Sequence, residues 1–322
     1  MSSENKQKEP SVDELIRDLQ GTKLDKKNDA LYKIRKIVND EKVKKALKEI
    51  CENDNEHPQF RINVMKTLVS GDKTPGDVVE MLIRLVKNKD SLIRRQAVIG
   101  LSDVGGKKVI PYLTEALKDE SHWVRLFAVR GIKKVIDFKS PSTEGLAALV
   151  SALGDEHEEV RKTAMEFVEH IGKPAMKELI KQSREGNKIL KAVATGILGR
   201  INTDEANNYL IQCLESGNDK IVRIAIKYLG DNKYVNATDK LLELAKNKQE
   251  FQELIEIALF KFGFNGISPL VEALEKYPEM KLFIFSILKK FMPNGDQELL
   301  KVIKKAPKEM QSELEKLIKE SI

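Results

Sequence analysis

The stretch GDEHEEVRKTAMEFVEHIGKP, residues 154–174, decides how this chain is read. It packs two histidines and a run of carboxylates into a few turns, so His157-Glu158, with Glu166 and His170 beyond, raises the question of a metal or catalytic centre. The apolar residues answer differently. Val160, Ala164, Phe167, Val168 and Ile171 fall four, seven, eight and eleven positions along from the first, one face of a helix with 3.6 residues per turn. The small Ala164 lets a second helix come close, and Gly172 stands where a helix ends.

The same phrase returns along the chain in QFRINVMKTL, LIRRQAVIGL, WVRLFAVRGI, ILKAVATGIL and IVRIAIKYLG. Its apolar anchors are Phe60, Ile93, Val124, Val160, Leu190 and Val222, separated by 33, 31, 36, 30 and 32 residues. Weaker copies start at Lys26, Leu254 and Met280. A basic residue follows each anchor, with Ile255 the exception, and the residue four beyond is apolar and often small. Glycines at 105, 106, 172, 199, 230 and 263 read as helix ends. A second amphipathic segment follows, as in KVIPYLTEAL or ISPLVEAL, and a polar turn leads to the next anchor. Each unit is a helical hairpin that cannot bury its apolar face alone, so the hairpins must stack.

LKDESHWVRLFAVRGI and LGDEHEEVRKTAMEFVEHIG carry the pattern most clearly, and it resembles the HEAT repeat in its short type, named after phycobilisome lyases. The likeness covers about residues 20–300. It implies an all-α chain, an α-solenoid (superhelix) of about nine or ten stacked hairpins whose second helices line a concave face. It says little about function, because sites are grafted on folds.

The remaining sequence bounds the reading. The 322 residues carry 56 Lys and Arg against 50 Asp and Glu, a near balance. Cys51 and Cys213 match no metal or disulfide spacing, which points to a reducing compartment. No apolar run approaches the ~18 residues of a membrane span, and MSSENKQKEP lacks the apolar centre of a signal peptide. The expected organisation is a disordered tail over residues 1–10 and a single solenoid over 11–322, with 281–322 as capping helices, in the cytoplasm. Ser11 and Glu14 have the spacing of a capping box at the first helix. DFKSPSTEG, residues 137–145, reads as a longer loop.

No catalytic, cofactor or metal residues are expected. Deoxyhypusine hydroxylases, which resemble this fold, bind iron through several His-Glu pairs, whereas here only His157-Glu158 has that form. Alkylpurine glycosylases of similar fold use several tryptophans, and here Trp123 is single. Glu166 and His170 read as solvated surface. Arg94, Arg125, Arg161 and Arg223 read as a structural ladder with acids such as Asp90, Asp119, Asp155 and Asp219. Residues 89–140 hold eleven Lys and Arg against six Asp and Glu. Positions two, six and nine after each anchor should face outward. The residues expected to meet a partner are Arg95, Ile99, Leu126, Arg130, Lys133, Lys134, Lys162 and Tyr228. That mixed surface suits a protein or peptide partner held by a non-enzymatic scaffold. The alternative is nucleic acid, with the basic segment tracking phosphates. An accessory lyase or chaperone is implied by the resemblance alone.

Overall fold

The structure, a computed structural model, describes residues 10–71, 76–137, 141–291, 297, 300–304 and 308–319. The expected disordered tail lies outside the described residues except at Pro10, as do 138–140 of the long loop and parts of the expected C-terminal cap. Among the described residues there are helices and short 3₁₀ turns and no strand.

Contacts divide the chain into two units, Met1–Phe167 and Val168–Ile322. The first holds α1 (Val12–Gln20), α2 (Leu24–Ile34), α3 (Glu41–Glu52), α4 (Pro58–Val69), α5 (Gly76–Leu85), α6 (Ser91–Val104), α7 (Ile110–Ala116), α8 (His122–Val135) and α9 (Thr143–Ser151). The boundary falls within α10 (Glu158–Ile171). The second unit continues with α11 (Met176–Glu185), α12 (Lys188–Ile201), α13 (Asp204–Cys213), α14 (Asp219–Asp231), α15 (Thr238–Asn247), α16 (Gln252–Lys261), α17 (Ile267–Lys276) and α18 (Lys281–Lys289). A further helix spans Lys308–Lys319.

Polar turn residues start several of these helices by satisfying their free N–H groups. Ser11 accepts from the Glu14 N–H while the Glu14 carboxylate accepts from the Ser11 N–H, a complete capping box. Asp90 caps α6, Asn187 caps α12, Thr203 caps α13 and Asn218 caps α14. The α10 helix stops at Gly172, whose φ of 65° is open to glycine at little cost.

Odd-numbered helices are the first members of the hairpins and even-numbered ones the second. In the first unit α5 packs on α6 and α7 on α8, while α4, α6 and α8 stack in series. In the second, α11 packs on α12 and α13 on α14, while α12, α14 and α16 stack in series. Phe60, Ile93, Val124, Val160, Leu190 and Val222 are all buried, and so are Val64, Ala97, Ala128, Ala164, Ala194 and Ile226 four residues on. The chain is an α-solenoid, as the repeat requires.

The weaker copies differ at the ends. Lys26 is exposed, and the buried face of α2 is Lys27, Ala30, Leu31 and Ile34. Leu254 is only half-buried. The anchor of that repeat is Phe251, three residues earlier: Ile255, Ala258, Leu259 and Phe262 follow it at the repeat spacing, all buried. Met280 keeps its expected place with Ile284, Ile287, Leu288 and Phe291.

Gly199 and Gly230 are not helix ends. They lie inside α12 and α14, where second helices touch. A Cβ on Gly199 would stand 2.2 Å from Cγ of Tyr228, and one on Gly230 would stand 2.7 Å from the Ala258 Cα. The first obstacle is a ring that can swing; the second is backbone. Gly230→Ala is therefore expected to lower stability by about 2 kcal/mol, as overpacking does. Gly196→Ala, with only Tyr228 at 4.0 Å, should raise it by a few tenths up to about 1 kcal/mol through helix propensity. Urea unfolding of the two variants checks the contrast.

The basic residue after the anchor ties successive turns together in some repeats, Arg94 and Arg125 most fully. Nε and Nη2 of Arg94 donate to the two carboxylate oxygens of Asp119 at 2.7 and 2.9 Å, and Nη2 also reaches Glu120 at 2.9 Å. Its Nη1 donates to the carbonyls of Asn88 and Lys89. Arg125 repeats this with Asp155, Glu156 and the carbonyls of Asp119 and Glu120. Hydrogen bonds donated to the aspartates, ahead of the opposing cost of burial, raise the pKa of both guanidiniums above the ordinary arginine value. Lys27 pairs with Glu56 in the same sense. The rest of the expected ladder is different. Arg161 donates to the carbonyls of Asp155 and Glu156, and Arg223 lies 5.1 Å from the Phe251 ring centre. Asp90 is spent as a cap, and Asp219 sits in the first turn of α14. Both are drawn to N–H groups at a helix start.

Candidate protein-interaction groove

The second helices α4, α6 and α8 of the first unit present their remaining faces side by side. Between them runs an open cleft of about 640 Å³, lined by Lys66 and Val69 from α4, Arg95, Gln96, Ile99 and Asp103 from α6, and Trp123 and Phe127 from α8, with Ser70 at its edge. Trp123 is 45% exposed and shares the cleft with Val69, Ile99 and Phe127, and it is grouped rather than scattered apolar surface that marks interaction sites. Arg95 and Arg130 both approach the Phe127 ring, with guanidinium carbons 5.9 and 5.2 Å from its centre. Lys133 sits 4.0 Å over the Phe167 ring. Such cation–π contacts hold long side chains in place while leaving their charge at the surface.

The expected partner residues sort as follows. Arg95 and Ile99 line the cleft, Arg130 borders it through Phe127, and Lys133 and Lys134 follow along exposed α8. Lys134 is bound to Asp103 at 2.6 Å, and Arg130 lies 3.8 Å from Glu159. Lys162 is exposed and pairs with Glu158 one turn back. Tyr228, in the second unit, is half-buried over Gly199, with the Lys227 ammonium 4.3 Å from its ring centre. Leu126 requires correction: it is 0% exposed and belongs to the core. Ser102, set outward by the same spacing, is also buried. A second helix packs against its hairpin partner and against its neighbours in the stack, so its buried arc is wider than one stripe. Phe127, one residue past Leu126, is the aromatic that faces the cleft, and an outward line drawn three rather than two positions after Val124 would have found it.

The histidine-rich stretch is a packed turn. The His157 ring stacks on His122 with centres 3.9 Å apart and planes 12° from parallel, and His122 leans on Trp123 at 4.9 Å. Glu166 and His170 are exposed. Among the described residues no three His, Cys, Asp or Glu side chains gather as metal ligands would. Cys51 and Cys213 are buried free thiols; burial pushes Cys51 far above the ordinary thiol range and Cys213 up to about 11. Neither supplies a thiolate near neutral pH. Among the described residues no single helix is long and apolar enough to cross a membrane.

The chain is 23% identical over 186 residues to an uncharacterized phycocyanin operon protein Z of Pseudanabaena tenuis (strain PCC 7409), covering 52% of this chain and 92% of that one. Importin beta superposes with a TM-score of 0.50 at 11% identity, over 96% of this chain and 51% of that one, which shows the fold alone. Human deoxyhypusine hydroxylase in complex with glycerol matches at 16% identity over 78% of this chain and 95% of that one, with a TM-score of 0.35. A family model described as HEAT repeats matches residues 44–133, 115–184 and 176–259, windows that overlap as a repeat allows. With that match over more than half of the chain, and the hairpin stack beneath it, this protein belongs to the HEAT-repeat family.

Proposed function

We propose that the protein is a non-catalytic scaffold in the cytoplasm that holds a protein or peptide partner in the cleft of α4, α6 and α8. The observation that carries this reading is Trp123, exposed beside Ile99 and Phe127 in a cleft with an apolar floor and charged edges. Aromatic and arginine side chains grouped in this way are the ones that dominate protein interfaces. Buried, unpaired cysteines suit a reducing compartment.

The test is affinity capture from native extract with and without nuclease, read by mass spectrometry. A partner retained after nuclease by the wild-type chain and lost with Trp123→Ala is the expected result. Signal that disappears with nuclease would move the assignment to nucleic acid, the reading favoured by the basic excess of residues 89–140.

A further inference from the structure

Resting on the scaffold reading, we propose that the cleft of α4, α6 and α8 selects an acidic peptide segment, one whose carboxylates flank an aliphatic or aromatic side chain. Two guanidiniums converge on one ring, since Arg95 and Arg130 both lie within 6 Å of the Phe127 centre. Glu159 at 3.8 Å offsets part of the Arg130 charge, so the positive potential beside the ring rests chiefly on Arg95, and a further anion is attracted there. An arginine held by a ring also keeps the N–H groups at its edge available, and that fork matches a carboxylate. Arg95 and Lys66 have no carboxylate partner among the described residues, whereas elsewhere in the same unit Arg94, Arg125 and Lys134 are paired. The floor between these cations is apolar, formed by Val69, Ile99, Trp123 and Phe127. A side chain of the peptide covers that floor while its neighbours meet Lys66, Arg95 and Arg130.

Nucleic acid fits less well. Asp103 lies inside the cleft and Glu159 beside Arg130, so a phosphate chain would pass two fixed negative charges. A peptide can set an uncharged residue at those points. Sequence-independent strand binding instead asks for an uninterrupted basic track with several stacking rings.

Trp123 is the single tryptophan of the chain, so its emission reports on this cleft directly. The experiment titrates the full-length protein with three tryptophan-free probes: a 12-residue peptide of Asp and Glu around two leucines, the same peptide with Asn and Gln replacing the acids, and a 12-nucleotide oligothymidylate. The acidic peptide is expected to shift Trp123 emission with an affinity about tenfold above the neutral one, roughly the worth of one charged hydrogen bond. That advantage should shrink as salt rises. Arg95→Gln with Arg130→Gln should abolish it without moving the neutral peptide's affinity or the helical circular dichroism. Equal binding of the two peptides overturns the acidic preference and leaves the scaffold reading in place. No response to either peptide overturns both. Tighter binding of the oligothymidylate overturns the proposal in favour of nucleic acid. The peptide comparison needs no variant, so a substitution that fails to fold does not blunt it.

Discussion

Replacing Phe251 with alanine is expected to cost about 4 kcal/mol of stability, the middle of the range for a buried aromatic. Replacing Leu254, only three residues away, should cost about 1 kcal/mol. Phe251 is 0% exposed, and Ile255, Ala258, Leu259 and Phe262 follow it at the spacing of the repeat, so its ring fills the place that Val160 holds in α10. Two cations hold its faces, Arg223 at 5.1 Å and Lys248 at 5.5 Å from the ring centre, so truncation also removes their stacking partner. Leu254 is half-buried and already in contact with water. Urea midpoints of the two single variants decide the matter, and similar losses would show that the buried register of this repeat is not centred on Phe251.

That slip shows which signals in the sequence were physical. The basic follower is a marker of the turn, and this repeat lacks it at either register, with Gln252 after Phe251 and Ile255 after Leu254, so nothing but the apolar residues distinguishes the two. Apolar spacing is the cause of the packing, and the residues four and seven beyond Leu190, Val222, Phe251 and Met280 are all buried. Facing was harder to read than burial. The position two after the anchor is half-buried as Arg95, fully buried as Leu126 and exposed as Lys162. A 3.6-residue period locates the middle of a buried arc and says nothing of its width, which neighbouring helices in the stack determine. The same blindness affected Gly199 and Gly230. Glycine at a helix end and glycine under a crossing helix look alike in sequence, and only the approach of Tyr228 and Ala258 separates them. For the cleft, Arg95, Ile99 and Arg130 were legible as outward residues. Phe127 was hidden because the outward line was drawn through Leu126.

Arg125→Ala is expected to cost about 3 kcal/mol, the penalty of breaking a buried ion pair by removing one partner. The side chains of Arg125 and Asp155 are 8% and 9% exposed, so the carboxylate left behind is nearly out of water. It keeps one donor, the His157 N–H at 2.8 Å, which makes the loss smaller than that of a bare buried charge. The carbonyls of Asp119 and Glu120 lose their shared donor as well. Replacing both partners separates the interaction from the desolvation it offsets. Arg125→Met with Asp155→Asn retains an acceptor for the His157 N–H and buries no unpaired charge, so the pair should couple by about 2 kcal/mol in a double-mutant cycle. Salt distinguishes this rung from the surface pairs. Lys162 and Glu158 are 64% and 66% exposed and their attraction should fade in 1 M salt, whereas the Arg125 coupling should persist because little solvent reaches it. A coupling below about 0.5 kcal/mol, or one that vanishes with salt, would mean that the apolar stripe alone sets how one hairpin lies on the next.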